Sequence, residues 1–295
     1  MIDLSQILND AKPLVRETGQ WIQSMVNTIG ESDIQYKGTN DLVSFVDQNA
    51  ESRLKEGLSR IFPEAGFVAE ESASDYSEVG DGYYWVIDPL DGTTNFLHRL
   101  PIYAVSVGLI YKKQAILGLI YEPNRDELFC AAKGLGAYLN ENPIQVSQQA
   151  SMSKSLLATG FPYYDFSYQD RYLALLKELM RTSHGLRRMG AAAIDLAYTA
   201  CGRFEGFFEA NLKPWDVAAG ALLVTEAGGL VGNFTGEADF LEQKECLAGT
   251  PKIYGQLVPI LSKYSKFASA GEKAAVRAAD AKDAAAQQDA TDSPL

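Results

Sequence analysis

Residues 85–96 of this chain read Trp-Val-Ile-Asp-Pro-Leu-Asp-Gly-Thr-Thr-Asn-Phe. The apolar run at residues 83–87 leads into this stretch and has the composition of a buried strand. Two carboxylates follow, Asp88 and Asp91. Pro89 lies between them and is expected to break the strand register, because it cannot donate a backbone hydrogen bond. The stretch therefore predicts a buried strand whose end carries two negative charges.

Gly92, Thr93 and Thr94 continue the stretch into a predicted tight turn and the start of a helix. A helix start exposes backbone N–H groups, which can bind an anion. Carboxylates beside such groups suit a divalent cation and a phosphate held together. The same residues also fit an ordinary strand end with an Asp cap and a Gly turn, since both residue types are common in turns. The stretch alone leaves both interpretations open.

The composition limits the classes of function. The chain has 295 residues and 46% of them are hydrophobic, so it can bury a substantial core in one large domain or two smaller ones. Its 38 acidic and 26 basic residues give a net charge of -12. This balance argues against a nucleic-acid partner, which generally requires a basic face. It fits a site where metal cations neutralise an anionic substrate, and solubility alone would also explain it.

The cysteines and the termini predict a cytoplasmic protein with no membrane partner. Cys130, Cys201 and Cys246 are widely spaced and form no C-x-x-C pair, so a disulfide framework or a zinc site is not expected. The first residues lack the basic and apolar pattern of a cleavable leader, and no apolar run is long enough to cross a bilayer.

Hydrophobic periodicity predicts a mixture of helices and strands. A long amphipathic helix is expected over residues 3–28, and residues 30–40, which include Lys37, are predicted to form a mobile loop or a hairpin turn. An antiparallel meander is expected over residues 102–131. The other predicted strands cover residues 66–70, 155–159, 205–210 and 245–249, a strand followed by a helix covers 41–56, and further helices cover 168–182, 191–202 and 217–228.

The last part of the chain has a different composition. Residues 266–295 contain eleven Ala, but only Phe267, Val276 and Leu295 as larger apolar residues. Such a segment has helix propensity and almost no apolar face to bury. We therefore predict a single catalytic domain over residues 1–265 and a disordered or fraying tail over 266–295.

Four further acidic features accompany Asp88 and Asp91. Glu70 and Glu71 end a predicted strand, where a solvated acidic turn is an adequate explanation. Asp216 opens a predicted helix, where it is well placed as the N-cap, and Asp47 also has a capping position. Glu209 ends a strand and could face either a cleft or solvent. Glu70, Glu71 and Asp216 could instead bind a cation.

The sequence offers little for other hydrolytic chemistries. It contains only two histidines, His98 and His184, so a histidine-based zinc hydrolase is poorly supplied. It has no G-x-S-x-G, H-E-x-x-H or Walker A pattern. Two or three Mg²⁺ ions, by contrast, need several carboxylates and few nitrogen or sulfur ligands.

Three segments together closely resemble the inositol monophosphatase family: Glu70-Glu71-Ser72, the stretch from Asp88 to Phe96, and Trp215-Asp216-Val-Ala-Ala-Gly220. The resemblance covers about residues 1–265. It implies an α/β (α+β) protein with the layered αβαβα sugar-phosphatase fold. It also implies dependence on Mg²⁺, with two or three ions per active site, sensitivity to lithium and usually a homodimer.

The resemblance also implies metal ligands and a water-activating pair. Glu70, Asp88 and the Leu90 carbonyl would bind one Mg²⁺, and Glu70 would help to bind a weaker third ion. The second ion would be bound by Asp88, Asp91 and Asp216. Thr93, hydrogen-bonded to Asp47, would activate the attacking water.

Substrate contacts are implied in the same way. The Gly92 and Thr93 N–H groups would hold the phosphate, while Gly190, Ala192 and Glu209 would contact substrate hydroxyls, together with Asp91 and Asp216. Position 191 often carries a hydroxyl in the family but is Ala191 here, which removes one such contact.

These implications lead to three hypotheses. The first is Mg²⁺-dependent hydrolysis of inositol monophosphate, or of a similar small phosphorylated polyol, by metal-activated water. The second is a fructose-1,6-bisphosphatase or a broad sugar phosphatase on the same scaffold. The third is a regulatory protein that keeps the fold without turnover, and the complete ligand set argues against it.

Overall fold

The protein was analysed as a computed structural model, which describes residues 2–29, 34–38, 41–72, 76, 79–161 and 169–266. The helices are α1 Leu4–Met25, α2 Phe45–Ile61, α3 Thr93–Leu97, α4 Gln169–Thr182, α5 Ala192–Ala200, α6 Pro214–Glu226, α7 Phe240–Gln243 and α8 Pro251–Leu261. The strands are β1 Ile34–Gly38, β2 Asp41–Ser44, β3 Gly66–Ala69, β4 Tyr83–Asp91, β5 Ala104–Tyr111, β6 Gln114–Glu122, β7 Glu127–Ala132, β8 Gly136–Leu139, β9 Asn142–Pro143, β10 Leu156–Thr159, β11 Gly185–Arg187, β12 Gly206–Ala210, β13 Leu230–Gly232 and β14 Glu245–Gly249.

The larger sheet has seven strands in sequence order from β3 to β9. β3 runs parallel to β4, and every later neighbour is antiparallel. Side chains alternate between its two faces, as expected for strands. Trp85 and Ile87 pack in the core formed with α1 and α2, whereas Val86 packs with Ala218 of α6. Both faces are therefore covered by helices.

The smaller sheet has five strands in the order β11-β10-β12-β14-β13. One of its faces packs on α5 and α6, through residues such as Phe207 and Ala248. Its other face packs on α4 and α8, through Phe208 and Leu247. The layers are α1/α2, seven strands, α5/α6, five strands and α4/α8, so the predicted αβαβα layered fold is confirmed.

Small residues allow α6 to pack closely in the middle layer. A Cβ atom added to Gly118 of β6 would lie 2.6 Å from the Ala219 carbonyl oxygen, and one added to Gly220 would lie 2.5 Å from the Leu196 Cβ of α5. Side chains of ordinary size would push the helix away from the sheet or from α5. The Ala-Ala-Gly segment after Asp216 therefore sets how closely this helix approaches its neighbours.

Most of the predicted elements are present with modest changes at their ends. The expected helix over residues 3–28 is α1, and the meander is β5, β6 and β7. The backbone of residues 34–38 forms β1, paired with β2, whereas the side chain of Lys37 lies outside the described residues. The strands β8, β9, β11 and β13 were not predicted, and three of them, β9, β11 and β13, have only two or three residues.

Two predicted helix positions were wrong. Asp216 is not the N-cap of α6, because the helix begins at Pro214 and its N-cap is Lys213. Asp47 is not an N-cap either, because Ser44 caps α2. Both acids occupy the third helical position, where a carboxylate can accept a hydrogen bond from the backbone of the capping residue.

The chain beyond Ser265 is described for one residue only. The Lys266 N–H donates to Glu245 Oε1 over 2.7 Å, and its Nζ donates to Asn211 Oδ1 over 2.6 Å. Lys266 therefore belongs to the folded part and not to the tail. Residues 267–295, the rest of the predicted tail, lie outside the described residues. Among the described helices, none is long and apolar enough to span a bilayer.

Candidate active site

Strand pairing places Glu70 beside Asp88. β3 and β4 are parallel with Ala69 opposite Ile87, and the Glu70 N–H donates to the Ile87 carbonyl over 3.2 Å. The next residue of each strand is acidic, so the two carboxylates emerge side by side. Adjacent parallel strands thus bring together two residues that are far apart in the sequence.

A β-bulge turns Asp91 to the same face as Asp88. Asp88 pairs with Ser106 and Asp91 pairs with Ala104, so three steps along β4 match two steps along β5. Without the extra residue, positions three apart would point to opposite faces of the sheet. The Leu90 N–H donates to Asp88 Oδ1 over 3.0 Å and stabilises the irregular backbone. The predicted break at Pro89 is confirmed.

Asp91 also caps a helix from another part of the chain. Its Oδ2 accepts a hydrogen bond of 2.6 Å from the Ala193 N–H at the start of α5, where the N-cap residue, Ala191, supplies no side-chain bond. Burial raises the pKa of Asp91 to about 6, although the hydrogen bonds from Ala193 and Ala192 and the charge of Arg188 act in the opposite direction. The residue therefore joins the larger sheet to the middle helical layer.

Asp216 reaches the same cluster from α6. Its Oδ2 accepts a hydrogen bond of 2.6 Å from the Lys213 N–H. Burial and then the charges of Glu70 and Asp91 raise its pKa well above the usual range, with the Lys213 hydrogen bond opposing them. Burial also raises the pKa of Asp88 well above its usual range, followed by the charges of Glu70, Asp91 and Asp216. The four carboxylates therefore lie close enough to repel one another, and Asp88 and Asp91 are buried.

The donor set has the composition of a divalent-cation site. In the described part of the chain, no three His, Cys, Asp or Glu side chains already converge closely enough to form a metal site. The chemistry nevertheless fits, because a cation among the carboxylates would offset the repulsion that raises the pKa of Asp88 and Asp216. All the donors are oxygens, which suits Mg²⁺ and not Zn²⁺. His98 and His184 are both exposed.

Thr93 and Asp47 are in contact, as the resemblance implied. The Thr93 hydroxyl lies 3.0 Å from Asp47 Oδ1 and 3.0 Å from the Leu90 carbonyl oxygen, so two acceptors compete for one proton. Asp47 is buried, and its Oδ2 accepts from the Ser44 N–H over 2.8 Å and from the Ser44 hydroxyl over 2.7 Å. Burial raises the pKa of Asp47, and these hydrogen bonds lower it.

Gly92 forms the turn between the carboxylates and α3. Its φ of 94° lies in the left-handed region, and it is the N-cap of α3. A Cβ added there would lie 3.3 Å from the Ala191 side chain. Residue 191, where the family often has a hydroxyl, is therefore next to the turn that was predicted to bind phosphate.

The expected substrate contacts surround the start of α5. Gly190 has a φ of 89° and precedes the helix that begins at Ala192. Glu209 on β12 lies close to Gly160, since a Cβ on that glycine would be 1.8 Å from Glu209 Oε1. Burial raises the pKa of Glu209 to about 8, opposed by Arg188 and reinforced by Asp91. The structure thus brings this end of the site next to the carboxylate cluster.

Sequence reasoning missed two residues of this region. Asp195 is buried in α5, and burial and then the charges of Glu209 and Asp91 raise its pKa well above the usual range. Arg188 lowers the pKa of Asp195, Asp91 and Glu209, so its positive charge lies near all three. An acid within the apolar run of α5 was the available signal for Asp195. Arg188 had none.

Comparisons with known proteins place this chain among similar sequences. The model of the inositol monophosphatase family matches residues 3–266. A relative in Neisseria meningitidis serogroup B, called putative Nus factor SuhB, is 43% identical over 261 residues, which are 88% of this chain and 100% of the relative. Nus factor SuhB of Escherichia coli K12 is 40% identical over 247 residues, covering 84% of this chain and 92% of that protein.

Two solved structures extend the likeness to the fold. Extragenic suppressor protein suhB from Bartonella henselae has a TM-score of 0.80 at 38% identity, covering 86% of this chain and 98% of the other. Inositol monophosphatase from Anabaena (Nostoc) sp. PCC 7120 has a TM-score of 0.76 at 36% identity, covering 88% and 96% respectively.

Proposed function

This chain belongs to the inositol monophosphatase family, and we propose that it hydrolyses inositol monophosphate, or a similar small polyol phosphate, in a Mg²⁺-dependent reaction. The observation that carries the proposal is the carboxylate cluster of Glu70, Asp88, Asp91 and Asp216, in which the charges of Glu70 and Asp91 raise the pKa of both Asp88 and Asp216. A structural role alone would not require several ionisable acids in one buried place.

We assign the metal ligands as follows. Glu70, Asp88 and the Leu90 carbonyl would hold one Mg²⁺, Asp88, Asp91 and Asp216 would hold a second, and Glu70 would help with a weaker third. When bound, these ions would neutralise the phosphate and acidify the water that attacks it. The mechanism needs no covalent intermediate, because phosphoryl transfer depends mainly on positioning and charge neutralisation.

The roles of Thr93 and Asp47 follow from their hydrogen bonds. Asp47 is held by Ser44 and accepts the Thr93 hydroxyl proton at 3.0 Å. With Leu90 engaged as a metal ligand, Asp47 is the acceptor that remains for this proton. The Thr93 oxygen is then free to accept a proton from the attacking water, as a positioned general base requires.

We propose that the phosphate binds at the Gly92 and Thr93 N–H groups, and that Gly190, Ala192 and Glu209 contact the hydroxyls of the alcohol. The position of Glu209 beside Asp91 supports this arrangement, since it places a polar acceptor next to the predicted phosphate site. Ala191 offers no hydroxyl at the turn, so a fructose-1,6-bisphosphatase or a broad sugar phosphatase is the alternative within the same chemistry.

Phosphate release from a panel of phosphomonoesters tests the proposal. Inositol 1-phosphate, fructose 1,6-bisphosphate and simple sugar phosphates would be compared with Mg²⁺, after EDTA treatment, and with Mg²⁺ plus Li⁺. We expect hydrolysis that requires Mg²⁺, fastest with inositol phosphate, and inhibited by Li⁺. Equal rates in the chelator-treated enzyme would refute the metal mechanism, and a preference for fructose 1,6-bisphosphate would favour the alternative.

A second candidate function comes from the relatives called Nus factor SuhB, which are 39% to 43% identical to this chain. Such a role need not use the carboxylate cluster, so one variant separates the two functions. In an E. coli strain that lacks its own relative, Asp91→Asn protein would restore growth as well as wild type if the chain acts as such a factor. Failure of both proteins to restore growth would count against this role.

We also propose a cytoplasmic homodimer without a nucleic-acid or membrane partner for the phosphatase reaction. The net charge of -12 supports the absence of general nucleic-acid binding. Light scattering on the purified chain would measure the assembly. A monomeric mass at micromolar concentration would contradict the dimer.

A further inference from the structure

We propose that Glu51 is a positioning residue, which fixes the turn after β3 and thereby aims Glu70 at the cation-binding carboxylates. This inference rests on the proposed function. Glu51 lies on α2, is 4% exposed and has no role in the reaction described above. Its carboxylate is directed at the backbone of the turn and not at the carboxylate cluster.

The contacts of Glu51 join α2 to a segment twenty residues later in the sequence. Its Oε2 accepts a hydrogen bond of 2.7 Å from the Glu71 N–H. Its Oε1 accepts from the Ser72 hydroxyl and, over 3.0 Å, from Lys55 Nζ. Lys55 thus balances the negative charge of buried Glu51, and both oxygens of the Glu51 carboxylate accept hydrogen bonds. Hydrogen bonds that backbone N–H groups donate to a charged acceptor are among the stronger ones in proteins.

The effect on Glu70 follows from the planarity of the peptide bond. The Glu70 N–H is bound to the Ile87 carbonyl, and the Glu71 N–H is bound to Glu51. These two N–H groups belong to the peptide planes on either side of the Glu70 Cα. Because each plane is rigid, fixing both sets the backbone dihedrals of Glu70 and the direction of its Cα–Cβ bond, from which the side chain extends. Loss of the Glu51 contact would release one of the planes.

The same helix holds the second functional contact. Asp47 and Glu51 are four residues apart and lie on one face of α2, and Asp47 holds Thr93. Two acids at this spacing repel each other slightly, so helix stability alone does not favour the pair. α2 therefore fixes Glu70 and Thr93 relative to each other, although neither residue belongs to it.

The test compares Glu51→Ala and Glu51→Gln with Glu56→Gln. Glu56 lies on the same helix, is exposed and pairs with Arg60, so it serves as the matched control. The main readout is Mg²⁺ binding to the metal-free full-length protein by titration calorimetry, without substrate. The Mg²⁺ concentration for half-maximal hydrolysis and the urea-unfolding midpoint are measured in parallel.

We expect Glu51→Ala to weaken Mg²⁺ binding by about 10- to 100-fold, the usual effect of losing a residue that orients a metal ligand. Glu51→Gln keeps one acceptor oxygen and should fall between Ala and wild type, and Glu56→Gln should match wild type. If Glu51→Ala does not fold, the Gln variant decides. Wild-type Mg²⁺ binding in a folded Glu51 variant, whatever its stability, would overturn the proposal. A protein that binds Mg²⁺ but releases no phosphate would refute the proposed function and leave this inference standing.

Discussion

Thr93 offers one hydroxyl proton to two acceptors at the same distance, Asp47 and the Leu90 carbonyl. Its catalytic value depends on which acceptor takes that proton. We predict that Thr93→Ala lowers kcat by about 10²-fold or more while leaving the KM and the Mg²⁺ requirement nearly unchanged, because the lost hydrogen bond acts mainly in the transition state.

Asp47→Asn provides the paired measurement. Both side chains serve one relay, so the losses of the two single variants should not multiply in the double variant. Steady-state kinetics of the two single variants and the double variant distinguishes a Thr93–Asp47 proton relay from a purely structural role of Thr93 at the start of α3. Independent, multiplicative losses, or a change in KM alone for Thr93→Ala, would mean that Thr93 only begins α3.

At this scale the sequence predicted the acids but not the reasons for their positions. Asp88, Asp91 and Asp216 could be found because they accompany a strand end and a helix start. Pro89 indicated a break in the strand, but nothing local indicated that the resulting bulge turns Asp91 toward Asp88, or that Asp91 caps α5 through Ala193. Those facts depend on pairing between distant segments, as does the contact of Glu51 with Glu71.

At the scale of elements, the close approach of α6 to the larger sheet allows a direct test. We predict that Gly118→Ala destabilises the protein by about 1–3 kcal/mol, the usual cost of overpacking a core, because its Cβ would lie 2.6 Å from the Ala219 carbonyl oxygen. The shift in the urea-unfolding midpoint of Gly118→Ala measures this loss of stability.

Gly255 in α8 is the matched control. A Cβ added there meets nothing within 4 Å, so Gly255→Ala should raise stability by up to about 1 kcal/mol through helix propensity. The same chemical change is therefore expected to change stability in opposite directions at the two positions. A Gly118→Ala variant as stable as wild type would show that α6 can move away from the sheet without loss of stability.

Element length explains which strands could be predicted. β5 and β6 have eight and nine residues, enough to distinguish an apolar run from its flanking turns. β9, β11 and β13 have two or three residues, too few to display any periodicity. They pair only because longer neighbours are already in place. The capping positions of Asp47 and Asp216 were mispredicted for a similar reason. In the sequence, an acid at the third helical position cannot be distinguished from an acid at the N-cap.

For the whole molecule, the buried acids predict how stability depends on pH. The pKa values of Asp91 and Glu209 rise to about 6 and about 8 on folding. Between the ordinary carboxyl range near about 4 and these values, the folded state binds more protons than the unfolded state. The free energy of unfolding of the metal-free protein should therefore fall as pH rises through this window.

Urea unfolding in EDTA at about pH 5, 6.5 and 8 checks this dependence. Bound Mg²⁺ should stabilise the protein most at the highest pH, because it no longer has to displace protons. Glu209→Gln removes one of the groups and should flatten the curve. Metal-free stability that stays level or increases between pH 5 and 8 would contradict the arrangement.

The boundary of the folded domain gives a second whole-molecule prediction. Removing residues 267–295 should leave activity and melting temperature nearly unchanged, since the segment has few large apolar residues to bury. Removing residue 266 as well should cost about 1–3 kcal/mol, because buried Glu245 would lose the Lys266 N–H. Thermal unfolding of both truncations measures the difference. A large loss from the shorter deletion would show that the tail packs on the domain.

The rate of phosphate release by Asp91→Asn protein tests the central claim most directly. Asn keeps the shape of Asp and still accepts the α5 hydrogen bond, but it is a much weaker ligand for Mg²⁺. With inositol 1-phosphate and saturating Mg²⁺, we predict a folded protein whose kcat/KM falls by at least about 10²-fold, a loss of about 3 kcal/mol of transition-state stabilisation. Activity comparable to wild type would show that the carboxylate cluster is not the site of the reaction.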